Sequence, residues 1–196
     1  MSRATRRIER GDIMAPEDYA RRRPELRKEL VAMKRDRRLG IGPFITLYFE
    51  NWDTMWGQVQ EMLHIERGGE AQIADELSAY NPLIPNGREL VATMMIEIDD
   101  PDRRARMLAA LGHIEDKVSL MFGGEEVTAT PEDDAERTTP EGKTASVHFL
   151  HFRFTDAQVA VFRAAGQVIA AIKHANYGHM AILPATVKQA LAADFA

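Results

Sequence analysis

Six histidines are the first groups in this 196-residue sequence whose type and spacing could do chemistry. Imidazole changes charge near neutral pH and is a common metal ligand. His148 and His151 fall in one aromatic and β-branched run, SVHFLHFRF. An odd separation on a strand sends two side chains to opposite faces, so this pair shares a site only through a bulge. His174 and His179 flank residues 175–178. If that segment closes a hairpin, the two imidazoles face each other, with Cβ atoms about 5 Å apart. They can then share a metal or grip an acidic ligand, with His148 a third member if its strand is a neighbour. Iron, zinc or haem would suit such a set. The plainer alternative makes His148 a hydrogen-bonded core residue and leaves His179 exposed.

Other constellations are less complete. Glu61-x-x-His64 has the i, i+3 spacing of a di-iron carboxylate helix. That centre needs two copies and two further glutamates, and one copy is present, so a complete di-iron centre within the chain is excluded. A solvated helix face is the plainer reading. Tyr80, Asn81, Asn86 and Arg88 set polar groups around two prolines, a rigid loop of the kind that builds binding surfaces. Asn81 and Asn86 can equally serve the turns alone. Glu132, Asp133, Arg137 and Lys143 gather in the acidic stretch 131–143, which otherwise reads as a charged surface loop.

Several chemistries are excluded by type. Cys is absent, which removes disulfides, thiolate zinc, thiolate-held iron–sulfur clusters and a Cys nucleophile. Gly40-Ile41-Gly42-Pro43 lacks the third glycine and following helix of a phosphate loop. There is no nucleophile elbow and no His-Glu-x-x-His helix. Trp52, Trp56 and the ten Met residues read as core.

The elements that must position these residues alternate between helix and strand. Residues 16–38 read as a helix with a thin apolar stripe and Pro24 as a break point. Strands follow at 44–50, 89–98, 117–122, 126–130 and 145–154, then at 167–174 and 179–183. Helices fall at 54–67, 70–79, 101–111, 156–165 and from 185 onward, each opened by a capping residue or proline or closed by glycine. Gly123-Gly124 marks a hairpin. Mixed strands and helices with at least two hairpins predict an α+β single domain. Its sheet would be largely antiparallel, with flanking helices and an N-terminal basic helical arm.

Charge divides the chain unevenly. Residues 1–38 carry thirteen Lys/Arg against seven acids, and the remainder 12 against 23. The predicted organisation is an arm over 1–40 and an α+β body over 41–196. The arm either docks on its own acidic body or a partner subunit's, or binds an anion such as nucleic acid. Interleaved acids and the lack of an aromatic stacking platform favour the first. A homodimer is expected, because the thinly apolar first helix needs a packing surface. The basic N-terminus lacks the apolar stretch of a signal peptide, and no run is long enough to span a membrane. With no Cys, a reducing cytoplasm is the expected compartment.

Taken together, TLYFE (46–50), QVQEMLHIER (58–67), ELSAYNPLIPNGREL (76–90), ATMMIEI (92–98), SVHFLHF (146–152) and KHANY (173–177) resemble a bacterial family described only as a conserved domain of unknown function. The resemblance covers nearly the whole chain, with His64 standing where the family pattern has a basic residue such as Arg. It implies neighbours of rubrerythrin-like di-iron type and an iron–sulfur oxidoreductase, and hence a place in peroxide or oxidative-stress handling. The leading expectation is an accessory protein of that system. It would bind a partner, a metal or haem on the sheet face near His148, His174, His179 and Tyr177. The alternative is a small-molecule enzyme using Glu61, Tyr80, Arg88, His148 and His174. A nucleic-acid-binding regulator acting through the basic arm ranks third.

Overall fold

A computed structural model describes residues 2–132, 139 and 142–196. A short helix α1 (Ser2–Thr5) and a 3-10 turn (Arg10–Asp12) lead into α2 (Pro16–Arg35). The chain continues through β1 (Arg38–Ile41), β2 (Ile45–Glu50), α3 (Trp52–Glu66) and α4 (Gly69–Tyr80). A 3-10 turn (Asn81–Leu83) precedes β3 (Glu89–Ile96) and α5 (Pro101–Ala110). Then come β4 (Val118–Phe122), β5 (Glu125–Thr128), β6 (Thr130–Pro131), β7 (Val147–Arg153) and α6 (Asp156–Ala164). The hairpin β8 (Val168–His174) and β9 (Tyr177–Ile182) and the helix α7 (Ala185–Ala192) complete the order. Among the described residues, no helix is long and apolar enough to cross a membrane.

The α+β class holds, but the strands form two antiparallel sheets instead of one. One sheet runs β1-β2-β3-β7-β6 and the other β5-β4-β8-β9. The chain changes sheet at Ala129: β5 pairs with β4, while β6, two residues on, pairs with β7. Nothing local in EVTATP announces that exchange of partners.

Period-two alternation then sorts the side chains. Leu90, Ala92, Met94 and Ile96 of β3 turn one way and join Leu47, Phe49, Leu150 and Phe152. They pack with Leu120, Phe122, Val168 and Ile172 of the second sheet in one core. Val91 turns the other way, into a separate core with Met55, Val59, Ile73 and Leu83 from the helical side. The molecule thus has a helical layer, a five-stranded sheet and a four-stranded sheet.

Local chemistry explains the element ends. Asn51 caps α3 reciprocally: its Oδ1 accepts from Thr54 N at 2.9 Å, and Thr54 Oγ1 accepts from Asn51 N at 2.9 Å. The first long helix stops at Arg35, short of the expected 38, because residues 38–41 pair with β2. Arg37 between them is only 5% exposed. Its guanidinium donates to the carbonyls of Phe49 (3.1 Å) and Glu50 (3.3 Å) and meets Asp194. The tight turn after β1 needs Gly42, at φ 72°, where a Cβ would run into Tyr177 and His179.

The basic arm lies on its own acidic body. Arg3 pairs with Asp53, Arg10 with Glu70 and Arg23 with Glu61. Asn81 takes both backbone groups of Ile8, accepting its N–H at 2.7 Å and donating to its carbonyl at 3.1 Å. Ile8 itself is 1% exposed and belongs to the helical-side core. Full burial of an isoleucine contributes about 2 kcal/mol, more than an exposed ion pair does. The apolar anchor, more than the charges, fixes the arm.

Candidate functional site

The antiparallel register of β3, β7 and β6 builds one polar pocket at the end of the first sheet. Val91 and His151 are opposite each other, as are Glu89 and Arg153 and also Thr130 and His151. On the face toward the helices this puts His151 between Glu89 on β3 and Glu132 just beyond β6. His151 Nδ1 is 3.2 Å from Glu89 Oε2, and Nε2 is 3.4 Å from Glu132 Oε1. The side chains of Glu89 and His151 are 7% and 8% exposed and that of Glu132 is 17% exposed. Arg153 Nε approaches Glu89 at 4.0 Å from the open side. These groups, with Pro131 and the loop residues Pro82 and Asn86, surround an open pocket of about 350 Å³.

This arrangement orients the imidazole. An ionised carboxylate only accepts, so Nδ1–H is the donor to Glu89. That bond fixes the ring and leaves Nε2 facing the pocket beside Glu132. When Nε2 carries a proton, a carboxylate is in place to hold it. When Nε2 is bare, its lone pair is open to a proton on a bound molecule. A carboxylate behind a histidine, with the far nitrogen on a pocket, is a general acid–base arrangement.

The residues singled out from sequence go elsewhere. His148, three residues from His151, points into the space between the sheets and is 0% exposed. Its Nε2 contacts Thr144 Oγ1 at 3.1 Å and the Ala145 carbonyl at 2.9 Å, and Nδ1 lies 3.7 Å from Glu115. His174 and His179 are not opposite each other. The β8–β9 turn is two residues long, so Tyr177 opposes His174 and Ile172 opposes His179. His174 accepts from Asn176 N on Nδ1 (3.1 Å), so its Nε2–H donates to the Gly112 carbonyl (3.2 Å). The His179 ring packs on Tyr177 at 4.4 Å. The structure does not bring His148, His174 and His179 together. Among the described residues, no group of three His, Asp or Glu is placed to hold a metal ion.

Tyr177 ties the sheets: its hydroxyl donates to the Ile41 carbonyl at 2.6 Å, and burial raises its pKa. Glu61 faces α2, where Arg23 grips both carboxylate oxygens at 2.8 Å and the Tyr19 hydroxyl donates at 2.6 Å. The Arg23 hydrogen bond, opposed by desolvation and helped by Tyr19, holds the Glu61 carboxyl at about 2. Tyr80 packs half-buried against the helical-side core, and Asn81 is committed to the arm. Arg88 reaches Asp156 at 3.2 Å on the surface. Of the loop 131–143, Glu132 joins the pocket, Lys143 donates its backbone N–H to Thr139 Oγ1 at 3.3 Å, and Asp133 and Arg137 lie outside the described residues.

Sequence reasoning passed over Glu89 and Arg153 and set His151 aside. One signal was present: a charge at one end of each of two strongly apolar strands, Glu89 opening β3 and Arg153 closing β7. Which strands were neighbours was not in the sequence.

A family profile described as "Protein of unknown function (DUF3501)" matches residues 7–195. Among solved structures, the chain is similar to a crystal structure at 1.90 Å of a novel protein of unknown function from Burkholderia pseudomallei K96243. The two share 36% identity and a TM-score of 0.90, over 96% of this chain and 99% of that one. No curated protein matches.

Proposed function

The chain belongs to the DUF3501 family of proteins of unknown function, and from that premise we propose that it acts on a small polar molecule by proton transfer at His151. The observation that carries this is the seating of one buried imidazole at a pocket wall with a carboxylate on each nitrogen. Glu89 positions the ring, Nε2 exchanges the proton, and Glu132 holds the proton between transfers. The pocket is lined mostly by polar groups, so its occupant is polar, and at about 350 Å³ it is small. General acid–base catalysis by one positioned side chain is typically worth about 10²–10⁴ in rate.

The test is a thermal-shift screen of small polar metabolites against the wild type, His151→Gln and Glu89→Gln. Compounds of this class should raise the wild-type melting temperature by several degrees and lose that effect in both variants. If every stabilising compound acts equally on wild type and variants, the pocket at His151 is not the site.

A further inference from the structure

A second cavity, of about 550 Å³, lies between the arm and the helical layer. Its chemistry is the opposite of the His151 pocket. Ile13, Met14, Leu63 and Ile73 supply apolar walls, and the ring of Tyr19 supplies another. The Tyr19 hydroxyl is already used by Glu61, so the ring is what it offers. Polar side chains also reach the lining: Gln60 and His64 of α3, with Arg10, Glu17, Arg67 and Glu70 around them. Gln60 is 2% exposed, and its Nε2 has no hydrogen-bond partner.

Burying an amide N–H without an acceptor is costly, and a leucine at that place would fill the same volume without the cost. Gln60 caps no helix and bridges no elements. Nε2 is buried as the side chain stands, so a molecule in the cavity supplies the missing acceptor only with a turn of the Gln60 amide toward it. Around the cavity, Arg10 and Arg67 are matched by Glu17 and Glu70, and Arg10 is bonded bidentately to Glu70. The lining therefore offers no excess charge to an ionised ligand. That clamp also pins the arm, which forms one wall, to α4.

We propose that this cavity binds a small, neutral, largely apolar molecule that presents a carbonyl oxygen to Gln60 Nε2. Mostly apolar walls with a few placed polar groups are the usual composition of such sites, and the volume lies within their usual range of about 300–1,000 Å³. The site is separate from the His151 pocket and does not depend on it.

A matched pair of probes tests the proposal. 2-Acetylnaphthalene carries the carbonyl, and 2-ethylnaphthalene has the same shape without it. Binding to the full chain is followed by calorimetry or by probe fluorescence. The acetyl compound should bind the wild type about tenfold more tightly, the worth of one buried hydrogen bond. Gln60→Leu should abolish that preference without lowering the melting temperature of the free protein. Ala20→Trp, at the mouth, should block both compounds. Failure of the acetyl compound to bind the wild type, equal binding of the two probes, or a preference that survives Gln60→Leu would each overturn the proposal.

Discussion

His148 and His151 lie three residues apart on one strand, and each has a glutamate beside it, yet they sit in different worlds. His148 is sealed between two sheets, its Nε2 held by Thr144 and a backbone carbonyl, with Glu115 at 3.7 Å. His151, on the other face, borders an open pocket with Glu89 on one nitrogen and Glu132 near the other. Residue type and local spacing are the same for both. The strand's two faces decide which histidine supports the fold and which is available for chemistry, because one meets a second sheet and the other meets the rim of the helical layer. A histidine–glutamate pair thus identifies a site only when one nitrogen has access to a cavity.

His148→Ala removes a wholly buried ring and strands its partners, which should cost roughly 3–4 kcal/mol of stability. His151→Ala should cost about half as much, because water from the pocket replaces the lost contacts. Urea denaturation of the two variants decides it, and equal losses would mean both histidines are structural.

A smaller effect sharpens the pocket itself. Double-mutant cycles of His151 with each glutamate should give a coupling of about 1–2 kcal/mol for Glu89 and under about 1 kcal/mol for the more exposed Glu132. The reverse order would make Glu132 the positioning group and Glu89 the proton holder.

The smallest effect compares a glutamate whose partner keeps its charge. Arg23 holds the Glu61 carboxyl at about 2, below its ordinary 4.5. A depressed folded-state pKa contributes stability above pH ~4.5 and loses it as pH falls through about 2. Wild type should exceed Glu61→Gln by about 1 kcal/mol at pH 7, and the gap should close between pH 4.5 and 2. A gap that stays constant over that range would show that the ion pair adds nothing to the fold.

Much of the frame was legible because it is local. Asp100 and Pro101 opened a helix, Gly123-Gly124 turned a hairpin, and the apolar run around His148 made a strand. Alternation even placed His148 and His151 on opposite faces. What could not be read was long-range. Glu89 and His151 are 62 residues apart and meet only through the β3–β7 pairing. The change of sheet at Ala129, which carries Glu132 to the pocket, is likewise a tertiary event. The His174–His179 pairing failed on turn length: a two-residue turn instead of four moved Tyr177 opposite His174. That the Gln60 amide is buried without a partner depends on how α2, α3 and the arm pack. The redox partner, the dimer and the compartment expected from sequence concern neighbours outside the chain.

The most direct test of the contrast is carbethoxylation of the folded protein with diethyl pyrocarbonate, with His148 and His151 distinguished by fragment-ion mass spectrometry. His151 should react at its Nε2 at least about tenfold faster than His148, which should stay unmodified until the protein is unfolded. Equal reaction of the two, or a spared His151, would contradict it.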